Sequence, residues 1–125
     1  MNQKIKEKWV AALRSGEYKQ AAGALKVDRK EGPTYCCLGV LCDLYAKEFD
    51  EEWETGVNEE TRKEYILFLG YQSTLPSDVM LWASLPYSNP SIDLAEAFGG
   101  SSTLAQYNDA GYSFEEIAEV IEAQL

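Results

Sequence analysis

Residues 35–45, YCCLGVLCDLY, are the most apolar stretch of their length in the chain and contain all three of its cysteines. If this segment forms a helix, with about 100° per residue, Gly39, Asp43 and Ala46 lie on the side opposite its bulkier residues. The bulkier residues share one arc of about 160°, as expected of a helix that is buried along one broad side. We therefore predict a packing helix that begins beside Cys36 and organises the rest of the chain. The residues of its predicted buried arc are Cys37, Leu38, Leu41, Cys42, Leu44, Tyr45 and Phe49.

The length and composition favour one globular domain over residues 1–125. A chain of this size buries roughly two thirds of the surface that its unfolded form exposes, so it needs no disulfide staples. Hydrophobic residues make up 46% of the chain, and no apolar run approaches the roughly 20 residues that span a bilayer. The first ten residues lack the apolar core of a secretory signal. We expect a cytoplasmic protein with reduced thiols that does not bind membranes.

The residues before the cysteine segment predict a helix followed by a hairpin. Residues 2–15 carry apolar side chains at helical spacing. Residues 25–28 alternate as a short strand does, and residues 29–34 include the turn pair Gly32-Pro33. The chain then returns through residues 34–35 towards the cysteine helix, which completes a small β-hairpin.

Three segments in the middle of the chain have distinct patterns. Residues 48–60 are dense in acidic side chains and predict an exposed loop anchored by Trp53. Residues 65–69 are a continuous aromatic and β-branched run, which favours a buried strand. A further helix is expected to begin near Pro76 and to end at residues 85–86.

The last part of the chain combines a loop with two helices. Residues 87–102 are rich in turn-forming residues and predict a surface loop with one apolar piece at residues 92–94. Ser102 is expected to cap a short helix, which Gly111 ends in the left-handed conformation. The sequence SFEE at residues 113–116 is a capping box that opens the final helix. Together the patterns predict an α+β fold, a small single domain that is predominantly helical with a short β-hairpin or small antiparallel sheet.

The net charge of −10 is distributed unevenly along the chain. Residues 1–35 contain eight basic and four acidic residues, or +4, and residues 36–125 contain three basic and seventeen acidic residues, or −14. No lysine or arginine follows Lys63. Such a surface repels nucleic acid backbones and anionic membranes, so we expect no binding to duplex nucleic acid. The basic first part could meet an acidic face on a second copy, which makes a homo-oligomer a further expectation.

The absence of histidine removes most familiar catalytic and metal sites. A structural zinc site needs four ligands, whereas the chain has three cysteines and no histidine. Cysteine–histidine and serine–histidine–aspartate catalysis both need the missing imidazole base. We therefore predict no metal site, no cofactor and no catalytic residue, and a protein better suited to binding than to catalysis.

Five segments, in order along nearly the whole chain, resemble a family of small proteins encoded by tailed bacteriophages. Two of them are motifs, YCCLGVLCDL at residues 35–44 and NDAGYSFEEIA at residues 108–118, and the others are residues 9–20, 23–25 and 75–82. The resemblance implies an accessory viral protein that works in the host cytoplasm of an infected bacterium. It further implies binding to a host enzyme, a defence complex or the nucleotide signal of a defence system.

The first functional hypothesis is a non-enzymatic protein that sequesters a nucleotide-like signal or otherwise counters host defence. Such a ligand needs a cation, aromatic faces and amides, which the turns before and after the cysteine segment supply. The same side chains also suit a structural role as braces of those turns. The predicted ligand-binding residues are Arg14, Tyr18, Gln20, Tyr35, Cys36, Asn108 and Asp109.

Two alternatives stay open from the sequence. One is an acidic inhibitor that binds a host enzyme, with DNA-like charge on the outer face of the last helix. That face carries Glu115, Glu116, Glu119 and Glu122. The other is a small enzyme that uses Cys36, whose thiol a helix N-terminus would activate, or a pair of carboxylates.

Overall fold

The computed structural model describes residues 1–94 and 100–125, which form five helices and three two-stranded antiparallel sheets. This is the mainly helical α+β fold that the sequence predicts. The helices are α1 (Gln3–Arg14), α2 (Cys37–Phe49), α3 (Ser77–Ala83), α4 (Leu104–Asp109) and α5 (Phe114–Gln124). The strands are β1 (Lys26–Arg29), β2 (Gly32–Tyr35), β3 (Glu54–Val57), β4 (Glu64–Leu67), β5 (Ser91–Asp93) and β6 (Ser101–Thr103).

Helix α2, the predicted cysteine helix, lies at the centre of the molecule. It packs against α1, α3, α4 and β2, while α1 packs against α5. The prediction of one buried side was wrong, because Gly39, Asp43 and Ala46 are buried as well. At Gly39 a side chain would collide with the Leu25 carbonyl, so glycine permits this close approach of the backbone. Phe49, predicted to be buried, lies in the last turn of α2 and is 50% exposed.

Local capping signals set the ends of the C-terminal helices. Ser113 and Glu116 form the predicted capping box of α5, and Gly111 has the predicted positive φ, 99°. The cap of α4 was placed one residue too early, because Thr103 rather than Ser102 accepts the Gln106 N–H. Ser102 is instead drawn into β6, where it pairs with Ile92 of β5.

The predicted hairpin before α2 is present as β1 and β2, with Lys26 opposite Tyr35. The free edge of β2 is covered by residues 19–21, which run parallel to it. Tyr35 N–H donates to the Lys19 carbonyl at 2.8 Å, and Ala21 N–H donates to the Tyr35 carbonyl at 2.7 Å. These backbone bonds hold the turn after α1 beside the start of α2.

A second hairpin corrects two sequence predictions. Residues 48–60 are not simply an exposed loop, since they contain β3, which pairs with β4. Residues 65–69 are not one buried strand: β4 ends at Leu67, and Tyr65 is partly exposed and covers Gly56 on the facing strand. Trp53 is half-buried and packs 4.8 Å from the Phe68 ring, which agrees with its predicted role as an anchor.

The segment 87–102, predicted to be a surface loop, contributes the strands β5 and β6. Its predicted apolar piece is confirmed, because Ile92 is fully buried in the core. Residues 95–99 of that predicted loop lie outside the described residues. In the described part of the chain, no helix has both the length and the apolar character that crossing a membrane would require.

Candidate functional site

The seven residues predicted to bind a ligand are divided among three places. Gln20, Cys36, Asn108 and Asp109 lie at or beside the start of α2. Arg14 faces α5. Tyr18 and Tyr35 line an open groove on another part of the surface.

The first place is a closed polar network, which we call the Asn108 node (Gln20, Asn108 and Asp109). Asn108 is only 2% exposed. Its carbonyl oxygen accepts from Gln20 Nε2 at 2.9 Å and from Cys37 N–H at 3.2 Å. Its amide nitrogen donates to the Ala21 carbonyl at 2.7 Å and to Asp109 Oδ1 at 3.1 Å. Because an asparagine side chain offers two donors and two acceptor lone pairs, this amide has no capacity left for a ligand.

Cys36 lies beside the node and caps α2. Its Sγ accepts from Gly39 N–H at 3.4 Å, and the residue is 2% exposed. Burial raises the pKa of this thiol to about 11, so it stays protonated at neutral pH. A reactive thiolate needs a lowered pKa and access, and Cys36 has neither. This geometry gives no support to the enzyme hypothesis based on Cys36.

Arg14 joins the two charged surfaces that the sequence predicts. Its Nε lies 3.1 Å from Glu115 Oε1, and its Nη1 pairs with Glu122. Within one chain, one arginine of the basic region thus pairs with two glutamates of the acidic region. Glu116 also has a structural role, in the capping box of α5, although all four glutamates of that face, including Glu119, are exposed.

In the third place, Tyr18 and Tyr35 line an open groove of about 380 Å³. We call it the Tyr18 groove. Tyr18 comes from the turn after α1, Tyr35 from the end of β2, and Asp43 and Lys47 from one face of α2. Its rim adds Glu17, Lys19, Glu31, Gly32 and Pro33.

A buried carboxylate organises the Tyr18 groove. The Tyr18 hydroxyl donates to Asp43 Oδ2 at 2.7 Å, and Trp53 Nε1 donates to Asp43 Oδ1 at 3.2 Å. Lys47 Nζ lies 3.3 Å from Asp43 Oδ2 and donates to the Tyr18 hydroxyl at 3.0 Å. The carboxylate therefore fixes the Tyr18 ring and holds the ammonium group at the mouth of the groove.

Aromatic contacts extend this arrangement along the surface. The rings of Tyr18 and Tyr35 meet edge to face with their centroids 5.1 Å apart, and Tyr35 meets Trp53 at 6.0 Å. Lys47 Nζ lies 5.2 Å from the Tyr18 ring centroid, and Lys26 Nζ lies 5.2 Å from that of Trp53. Two cations thus flank a row of three aromatic rings, in the geometry of cation–π contacts.

Burial and charge keep Tyr18, Tyr35 and Lys47 in one protonation state near neutral pH. Burial, followed by the negative charge of Asp43, raises the pKa of Tyr35 to about 12. Burial and the hydrogen bond to Asp43 raise the pKa of Tyr18. The hydrogen bond to Tyr18 raises the pKa of Lys47. Both phenols are therefore neutral and the ammonium is charged.

Comparison with known proteins identifies the family of the chain. The model of a family described as "Domain of unknown function (DUF8296)" matches residues 1–125. The chain belongs to this family. No curated protein and no solved structure matches it.

In this DUF8296 protein, the groove contains two functional candidates that the sequence prediction of the site did not include, Asp43 and Lys47. They lie four residues apart on a mainly apolar helix, a spacing at which opposite charges pair. The aspartate was the available signal, because a carboxylate on the buried side of a helix needs a partner. Among residues 1–94 and 100–125, no cluster of three or more candidate ligand side chains is placed to hold a metal ion. The groove offers donors, a cation and aromatic surface, which suit binding of an organic ligand.

Proposed function

We propose that this DUF8296 protein is a non-enzymatic binding protein that captures a nucleotide-like ligand in the Tyr18 groove. The observation that carries the proposal is the convergence of Tyr18, Lys19 and Lys47 on one open groove beside the buried Asp43. The sequence resemblance to phage proteins supports the setting that we propose, the cytoplasm of an infected bacterium, where such capture would counter host defence.

The two sides of the groove suit the two ends of a nucleotide. A flat ring packs against Tyr18 and Pro33, since aromatic faces and prolines offer rigid apolar surface. Hydroxyl groups of a sugar donate to the rim carboxylates Glu17 and Glu31, as ribose hydroxyls do to acidic residues elsewhere. These carboxylates also disfavour a ligand with many negative charges, so we expect a mono- or diphosphate rather than a polyphosphate.

Lys47 is the proposed contact for the phosphate. Its side chain is 68% exposed and has three N–H donors, of which Tyr18 and Asp43 engage two. The third donor is available to a phosphate oxygen without breaking the pairing with Asp43. Lys19, which is also exposed on the rim, adds a second positive charge.

The proposal is tested by thermal-shift measurements on the purified chain with cyclic dinucleotides, ADP-ribose and nucleoside monophosphates. We expect at least one of them to raise the unfolding temperature in a concentration-dependent way, because a ligand that binds only the folded state stabilises it. Lys47→Gln should weaken the effect, and the matched variant Lys63→Gln, at an exposed lysine outside the groove, should not. The absence of a shift across the panel would exclude this ligand class.

A further inference from the structure

A separate surface of the molecule is apolar and open. We call it the α3 surface (Phe49, Met80, Leu81, Trp82 and Pro86). Leu81 projects from the middle of α3 and is 77% exposed. Leucine gains free energy when it leaves water, so an exposed leucine surrounded by other apolar groups marks a contact surface.

Two apolar features lie along α3, and Leu81 belongs to the first of them. On one side, Leu81 lines an open groove of about 730 Å³ together with Met80, Leu85 and Pro86 and with two polar residues, Ser77 and Ser84. On the other side, the Trp82 ring meets Phe49 edge to face, with their centroids 6.1 Å apart. The surface therefore combines an open groove, which can receive apolar side chains of a helix, with an aromatic ridge.

Two carboxylates lie in or near the elements that form the α3 surface. Asp78 lies in the first turn of α3, and Glu51 follows α2. After burial, the negative charges of these two carboxylates raise the pKa of Tyr45, whose ring packs 5.4 Å from Trp82. The chain has no lysine or arginine after Lys63, and hence α3 and every later element lack positive side chains.

This charge pattern selects among possible occupants. A second copy that met this surface with its own α3 surface would bring the same carboxylates, which repel each other. An anionic membrane or a nucleic acid is repelled for the same reason. An amphipathic helix with an apolar stripe and flanking lysines or arginines matches both the groove and its rim, since its apolar side chains at i, i+3, i+4 and i+7 fit such a groove.

We propose that the α3 surface docks a basic amphipathic helix of a partner protein, with Leu81 at the centre of the contact. The Phe49–Trp82 ridge packs against the apolar stripe of that helix, while Asp78 and Glu51 face its basic flanks. The site includes no residue of the Tyr18 groove, so the test of this proposal does not depend on whether the proposed ligand binds.

The test uses a synthetic helical peptide of about 14 residues, with leucine at i, i+3, i+4 and i+7 and lysine elsewhere. Its affinity for the full chain is measured by fluorescence anisotropy. Leu81→Ser should weaken binding by at least about tenfold. The matched variant Val57→Ser, at a residue that is 52% exposed on β3, should bind as the native chain does. A peptide with glutamate in place of lysine should show no binding.

Further controls separate the outcomes. Because Leu81 is exposed, Leu81→Ser should keep the urea midpoint of the native chain, and Asp78→Asn should weaken peptide binding without changing the fold. Equal affinity for Leu81→Ser and Val57→Ser would overturn the proposal, since the peptide would then bind by charge alone. A dimer in sedimentation experiments that Leu81→Ser dissociates would also overturn it and assign the surface to a second copy.

Discussion

The Asn108 node and the Tyr18 groove are both polar clusters that connect the turn after α1 to helix α2. They differ in whether a hydrogen-bond donor is left available beside open space. In the node, the Asn108 amide makes four hydrogen bonds in the interior, and no donor or acceptor of that side chain is left over. In the groove, the buried Asp43 is equally well bonded, yet Lys47 projects into solvent beside open space. The sequence alone treats residues of both as one candidate site.

The comparison shows that polar composition does not separate a brace from a binding site. A buried amide that leaves water costs free energy unless it is fully bonded, so the Asn108 side chain holds the fold together and has no donor or acceptor left for a ligand. A cluster with one exposed cation and space beside it keeps a donor available. The following predictions test that distinction, from the largest effect to the smallest.

Asn108→Ala should cause the largest loss of stability, about 2–4 kcal/mol, because it leaves the Cys37 N–H and the Ala21 carbonyl unpaired in the interior. Urea unfolding measures the change. The matched control is Asn58→Ala, which removes only turn bonds to exposed residues and should cost less than about 1 kcal/mol. Similar losses for the two variants would show that the node does not brace the fold.

Asp43→Asn should have an intermediate effect of about 1–2 kcal/mol, because the amide keeps the shape but loses the charge that pairs with Lys47. The Lys47 ammonium should then be less well placed, so any ligand of the groove should bind more weakly. Asp28→Asn, at an exposed aspartate of β1, serves as the control in the same unfolding assay. If Asp43→Asn lowered the free energy of unfolding as much as Asn108→Ala does, the polar contacts of the groove would have a structural role like that of the node.

Alkaline pH should weaken the fold through Tyr35. Because its pKa is raised from about 10 to about 12 in the folded chain, the folded state holds this proton more tightly than the unfolded state does. The stabilisation is present below pH 10 and is lost as the pH rises from about 10 to about 12. Tyr35→Phe should reduce the slope of the urea midpoint over this range, and the two proteins should run parallel between pH 7 and 9. An unchanged slope would contradict the burial of this phenol.

Arg14→Gln should have the smallest effect, because its ion pairs with Glu115 and Glu122 are open to solvent. Any decrease in the urea midpoint should disappear in about 0.5 M NaCl, where screening acts within a few Å. Lys8→Gln, at an exposed lysine of the same helix, provides the baseline. An effect that persists in high salt would show that Arg14 contributes through packing rather than charge.

Local sequence predicted several helices and one hairpin correctly, but it predicted poorly which of their residues are buried and which strands pair. The capping box of α5 and the β1–β2 hairpin were predicted because the residues that form them are neighbours in the chain. The exposed side of α2 was predicted wrongly, because a helical wheel assumes one covering surface and α2 is covered from several directions. The strands β3, β5 and β6 were missed, since short polar strands depend on partners rather than on their own pattern.

By itself, the sequence determined that this chain forms a small, mainly helical α+β domain around the cysteine helix, and that histidine-based chemistry is absent. Only the tertiary structure decided which polar residues are braces. Tyr18 reaches Asp43 across 25 positions and Gln20 reaches Asn108 across 88, and no local pattern encodes such contacts. The physical reason is that capping and periodicity act within a turn or two of a helix, whereas burial depends on what the rest of the chain places over a side chain.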